Sequence, residues 1–183
     1  ESLLSTQVVK TPRNILSKPK TKSIRKSRGL IPPSVRCELN DPRIKSVFTE
    51  IQKLRIDKFP NTAGIMFRVL LDMCLSYYLE TTGKMDSFLV KNKKQDAKDW
   101  YPSLVNMLEY ILDDPDIILS PQTRNILKKH SKDKESFLSI DSLNQFVHNR
   151  RAAPTTEFLR GFWTQFEELI LVLLKEPVKM EAE

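Results

Sequence analysis

The sequence predicts an all-α fold, a bundle of four or five main helices that carries an extended basic N-terminal arm. Apolar residues recur at the three- and four-residue spacing of a helix face, and no stretch alternates like a half-buried strand. Only four of the 183 residues are glycine, which disfavours turn-rich β-sandwiches and glycine-rich phosphate loops. Hydrophobic residues make up 40% and charged residues 29%, so the chain can bury a core.

The net charge of +7 is distributed unevenly. Residues 1–36 contain nine basic side chains and one acid, which leaves residues 37–183 with a net charge of −1. We therefore divide the chain into a basic arm or interdomain linker, 1–36, and a helical bundle domain, 37–183. The arm is either a solvated linker to an upstream domain of the same polypeptide or a segment that attracts phosphates. Its candidate contacts to DNA or RNA are Lys18, Lys20, Lys22, Arg25, Lys26 and Arg28.

Proline and capping residues mark the first two helices of the body. Asn40-Asp41-Pro42 is typical of a helix start and predicts a first amphipathic helix over about 41–57. Pro60 begins a second helix, which is apolar almost all round between positions 63 and 79. Such a helix lies at the centre of a bundle. Gly83 is expected to end it.

The rest of the body continues the helical pattern. The lysine-rich segment 84–99 is expected to be a loop or a loosely held helix. A third helix follows from Leu104 and stops at the acidic segment 113–116. Pro121 opens a short helix, 140–148 forms one or two more turns, and Pro154 precedes the last long helix, which carries an aromatic and aliphatic stripe.

The segment before the last helix is the main candidate site. Asn144 and His148 are four residues apart, so on a helix they share a face. Such a polar group could hold a phosphate or a nucleotide edge, or it could simply tie down the turn before the last helix. The candidate site residues are Asn144, His148, Asn149, Arg150 and Arg151.

No metal or cofactor site is expected. Cys37, Cys74, His130 and His148 are too far apart in sequence for the spacing of a structural zinc site. The two cysteines, the lack of a signal peptide and the lack of an apolar run of about 18 residues predict a cytoplasmic location without a membrane span. The absence of a methionine at Glu1 suggests a fragment of a longer protein.

The long apolar helix, the "LNxFVHN" turn at 143–149 and the long closing helix resemble HEPN-type domains, helical bundles of prokaryotic toxin and phage-defence proteins. The stretch from Arg28-Gly-Leu-Ile-Pro-Pro to Tyr77-Tyr-Leu-Glu is also similar to helical segments that follow ParB-like domains. The HEPN resemblance implies a metal-independent ribonuclease with His148 as the catalytic histidine, usually working as a dimer. Active HEPN proteins also carry an arginine, here expected at 141, 142 or 143, where Asp141, Ser142 and Leu143 stand. The missing arginine favours a non-catalytic member.

These observations predict a non-catalytic dimerisation and interaction module of a larger prokaryotic protein, with an arm that contacts nucleic acid. The alternatives are the ribonuclease centred on His148 and a small-ligand or nucleotide sensor that uses the Asn144–Arg151 group. A homodimer is expected because positions 169–174 are all apolar, more than one helix face needs. Cover of this surplus by the N-terminal arm is the competing explanation.

Overall fold

A computed structural model describes residues 28–92, 102–132 and 139–177. Within these ranges the protein has seven α-helices and no strand, so the all-α prediction is confirmed. In chain order the helices are α1 (Pro42–Lys53), α2 (Pro60–Thr81), α3 (Met85–Asn92), α4 (Leu104–Leu112), α5 (Pro121–Lys132), α6 (Ile140–His148) and α7 (Thr156–Leu173). Four of them have 12 or more residues, and α3, α4 and α6 have 8 or 9.

Side-chain caps set several helix starts. Asp41 Oδ1 accepts a hydrogen bond from the Ile44 amide at 2.7 Å, ahead of Pro42 in the first turn of α1, as the sequence predicts. Ser103 and Thr155 cap α4 and α7 in the same way. Each cap satisfies an amide that has no partner inside its own helix.

Helix α2 is the central element of the bundle. It packs against α1, α3, α4, α6 and α7, and buried side chains occur along its length, as its apolar sequence predicts. It runs alongside α7, whose Phe162 ring meets Phe67 edge-on with centroids 5.7 Å apart. Phe162 also stacks on Phe166 with centroids at 4.2 Å. These aromatic contacts hold the two longest helices together.

The lysine-rich segment after α2 contains a helix. Residues 85–92 form α3, which buries Phe88 against Tyr110 of α4. The sequence predicts either a loop or a loosely held helix for this segment. Its first part is helical because Phe88 is buried in the core. Residues 93–99 lie outside the described ranges.

The packed body begins upstream of residue 37. Leu30, Ile31 and Val35 are buried in the core, although the sequence places them in the arm. Gln52 at the end of α1 holds this segment by donating from Nε2 to the Pro32 and Val35 carbonyls, at 2.9 and 3.1 Å. The arm therefore joins the body near Arg28, and the other five candidate arm residues lie outside the described part of the chain.

The apolar end of α7 is mostly covered within this chain. Leu169, Ile170, Leu173 and Leu174 are buried, and Leu171 remains 38% exposed. Next to it, the Glu38 amide donates to the Leu174 carbonyl at 2.8 Å, and the Asn40 amide donates to Glu176 Oε2 at the same distance. The segment between Val35 and α1 thus lies against the end of α7.

Candidate functional site

Helix α6 brings Asn144 into contact with the central helix. Ser139 caps α6, while Ile140 and Leu143 anchor it in the core. Asn144 lies on the face of α6 that contacts α2, and its Oδ1 accepts a hydrogen bond from Arg68 Nε at 3.0 Å. The sequence predicts the polar position at 144, and the structure supplies its partner.

The sequence does not predict Arg68 as the partner of Asn144. Its guanidinium lies 3.9 Å from the Asp72 carboxylate one turn along α2, and both side chains are about four-fifths buried. Burial raises the pKa of Asp72 and the charge of Arg68 opposes that rise. The spacing of Arg68 and Asp72 in the sequence is typical of an ion pair. Nothing in the sequence joins either of them to Asn144, 76 residues away.

His148 is exposed at the end of α6. Its side chain makes no hydrogen bond or ion pair with the residues that the structure describes. Of the two residues that were expected to share a face, Asn144 bonds to α2 and His148 has no polar partner among the described residues.

Asn149 orders the turn between α6 and α7. Its amide donates to the Gln145 carbonyl at 2.8 Å, and its Oδ1 accepts from the Arg151 amide at 3.0 Å. The side chains of Arg150 and Arg151 are exposed and have no ion pair within the described ranges. The turn thus presents two free guanidinium groups on an ordered backbone.

Gly64 allows α2 to approach this turn closely. A Cβ atom at position 64 would lie 3.1 Å from Pro154 Cγ and 3.5 Å from Phe146. A larger side chain would push α6 and the start of α7 away from α2. This close approach sets the position of Asn144 relative to Arg68.

A second polar cluster lies at the opposite end of α2. Lys84 Nζ donates to Asp114 Oδ1 at 2.7 Å and to Asp116 Oδ2 at 2.6 Å, and Tyr78 Oη donates to Asp114 at 2.9 Å. Burial alone would raise the pKa of Asp114, but hydrogen bonds from Lys84, from the Asp116 amide and from Tyr78 lower it. Burial and the hydrogen bond to Asp114 raise the pKa of Tyr78 to about 12.

Two cavities adjoin this second cluster. One, of about 560 Å³, lies between the end of α2, Ile117 and Pro177. The other, of about 440 Å³, lies beside Lys91 and Tyr110. A ligand sensor that used one of these cavities would need the Asn144–Arg151 group in its lining. Neither cavity is lined by residues of that group.

Among the described residues no cluster of His, Cys, Asp and Glu side chains is arranged to hold a metal ion. Helix α2 is long and apolar enough to cross a membrane, but half of that stretch is buried inside the fold, and core helices of soluble proteins pass the same test. No family model, curated protein or solved structure matches the chain.

Proposed function

We propose that the chain is a non-catalytic interaction module of a larger prokaryotic protein of the phage-defence type, which contacts DNA or RNA through its basic arm. The observation that carries this proposal is the separation of charge. Residues 1–27 contain seven basic side chains and one acid, and the arm joins a body that is close to neutral overall. Basic segments bind nucleic acid mainly by releasing counterions from the phosphates, without reading sequence.

The surroundings of His148 favour a non-catalytic role. A general base needs a partner that orients its ring and a neighbour that stabilises the charge developing on the substrate. His148 has no such partner in the described part of the chain, and Asp141, Ser142 and Leu143 stand where the HEPN resemblance expects an arginine.

One contact favours the alternative, a metal-independent ribonuclease centred on His148. Arg68 reaches the α6 face at Asn144, one helical turn from His148. A guanidinium there could stabilise the negative charge of a pentacoordinate phosphate. Asp72 and Asn144 already engage this guanidinium, so we rank the ribonuclease second.

The proposal includes a homodimer and a cytoplasmic location. Ile65 of α2 and Leu171 of α7 are apolar side chains that are each 38% exposed, and they are available to an interface that uses the second and last helices. Both cysteines are free thiols, which suits a reducing compartment.

Removal of the arm tests the nucleic-acid role. The deletion should span residues 1–27 and spare Leu30 and Ile31, which are part of the core. Fluorescence anisotropy with duplex DNA is then measured over a range of salt concentrations. Each phosphate contact contributes about 0.9 to the slope of log K against log salt, so the loss of seven basic residues should lower the slope by up to about six.

The melting temperature of the truncated chain shows whether its body is still folded. A folded truncation that binds with an unchanged salt slope would rule out the arm as the main contact.

A further inference from the structure

We propose that the α6–α7 turn and the base of the arm form one composite phosphate-binding surface, so that the folded body adds its own phosphate contacts to those proposed for the arm. This inference rests on the proposed nucleic-acid role and adds a second set of residues to it. We define the arm-base corner as Arg28, the α1–α2 connection at 53–59 and the α6–α7 turn with the first helical residues at 149–157.

Ile56 joins the parts of this corner. Its amide donates to the Arg28 carbonyl at 3.1 Å, and its carbonyl accepts from Thr156 Oγ1 at 3.5 Å. One residue of the α1–α2 connection therefore spans the distance between the base of the arm and the start of α7. The arm and the turn, more than 100 residues apart in sequence, meet at the same end of the bundle.

The base of the arm is held firmly in this place. A Cβ atom on Gly29 would lie 2.5 Å from the Gln52 carbonyl oxygen, so the backbone passes directly over the end of α1. Gln52 also holds the next turn through its hydrogen bonds to Pro32 and Val35. A bound phosphate chain that follows the arm is thus led to a defined point on the body.

Cations dominate the corner. It contains six basic side chains and two carboxylates, on a body (residues 28–183) whose net charge is only +1. One carboxylate, Asp57, is paired with Arg55 at 2.6 Å, and the other is Glu157. The basic side chains are Arg28, Lys53, Arg55, Lys58, Arg150 and Arg151.

Arg150 and Arg151 are well suited to phosphate. A guanidinium presents several donors in a planar fork that matches phosphate oxygens, and neither side chain has an ion pair to break within the described ranges. Asn149 holds their backbone in place, so little backbone freedom is lost on binding. Attachment next to the arm also raises the local phosphate concentration once the arm has bound.

The test compares two double substitutions in the full chain. Arg150→Gln with Arg151→Gln removes the two cations of the turn. Arg43→Gln with Lys45→Gln removes two exposed cations from the start of α1, at the opposite end of the bundle, where Asn40 contacts Glu176. Both variants change the net charge equally, and all four positions are exposed, so both proteins should melt within a few degrees of the unmodified chain.

Binding of each variant to a duplex DNA and to a single-stranded RNA is measured as a function of salt. The turn variant should lower the salt slope by about 1.8 on the duplex and about 1.4 on the single strand. Its Kd on the duplex in 0.1 M salt should rise about 10- to 60-fold. The α1 variant should change the slope by less than about 0.5 on either probe.

The outcomes separate the two proposals. Equal effects of the two variants, or no effect of the turn variant on a chain that still binds, would overturn the composite surface and leave the arm proposal standing. An unmodified chain that binds neither probe would overturn both. A loss on one probe only would show which nucleic acid the corner contacts.

Discussion

Lys84 is the cation that compensates the buried carboxylate of Asp114. The Asp114 side chain is only 3% exposed, and its charge is compensated chiefly by Lys84 at 18% exposure. A buried carboxylate without its cation has neither water nor a counter-charge to stabilise it.

Lys84→Met is therefore expected to lower the free energy of unfolding by about 3 kcal/mol, measured by urea denaturation. Lys128→Met is the matched control, because Lys128 pairs with the exposed Asp113 and should cost less than about 1 kcal/mol. Equal losses in the two variants would contradict the importance of burial.

The same cluster predicts how stability depends on pH. The pKa of Asp114 is lower in the fold than its ordinary value of 3.8, so its contribution to stability is present above that pH and is lost as the pH falls through the folded-state pKa. Asp114→Asn should therefore make the stability less dependent on pH between about 5 and 2. Some dependence should remain, because the pKa values of Asp113 and Glu168 are also lowered, by Lys128 and by Thr123. Urea denaturation at several pH values measures the free energy of unfolding of both proteins. The prediction is contradicted if this free energy depends on pH as steeply in Asp114→Asn as in the unmodified chain.

Asn144 and His148 should respond differently to replacement by alanine. Asn144→Ala leaves the partly buried Nε of Arg68 without an acceptor and should cost about 1–3 kcal/mol. His148→Ala alters an exposed side chain and should change stability by less than about 0.5 kcal/mol.

A metal-free RNA cleavage assay on the same two proteins addresses catalysis. We expect no cleavage by the unmodified chain. Cleavage that disappears in His148→Ala at an unchanged melting temperature would replace the proposed module by the ribonuclease.

At the scale of the element, the end of α2 depends on Gly83. Its φ of 70° lies in the left-handed region, where a side chain is strained. The Gly83 amide donates to the Glu80 carbonyl and the Lys84 amide to the Leu79 carbonyl, at 3.2 and 2.9 Å, the two hydrogen bonds of a Schellman motif. This motif places Lys84 beside Asp114.

Gly83→Ala should destabilise the protein by about 1 kcal/mol, because no neighbour lies within 4 Å to clash and only the backbone strain remains. Gly83→Asn should cost less, since asparagine tolerates this conformation better than alanine. Thermal or urea melts of the two variants measure the difference, and equal stability of Gly83→Ala and the unmodified chain would contradict it.

The start of α1 and the end of α2 were predictable because their causes are local, whereas α1, expected to reach about 57, ends at Lys53. Pro42 with Asp41, and Gly83 after α2, act within a few residues of the boundary that they set. The partners of Arg68 and Lys84 were not predictable, since they come from helices far away in sequence. The burial of Leu30 was missed because the basic residues around it resemble a linker, and only the end of α1 explains its position.

At the scale of the whole molecule, the proposed dimer makes a direct prediction. Most of the apolar surplus of α7 is buried within the chain, so Leu171, rather than the full run 169–174, is left for an interface. Light scattering at tens of micromolar is expected to give twice the monomer mass of 21.3 kDa.

Leu171→Glu should shift that equilibrium toward the monomer, while Ile118→Glu, an equally apolar and more exposed position outside the second and last helices, should not. A monomeric mass of the unmodified chain would remove the dimer from the proposal.

The hydrogen bond between Glu38 and Leu174 has a consequence for synthesis of the protein on the ribosome. The residues that cover the end of α7 precede it in the chain by more than 100 residues, so they are made before it. Leu39, which is buried and lies between Glu38 and Asn40, therefore has no complete surface to pack on until α7 has left the exit tunnel. During that interval the nascent chain exposes apolar segments, which chaperones bind and which favour aggregation. A stalled ribosome that holds the chain before residue 156 should leave it sensitive to protease, and release of the full chain should make it resistant.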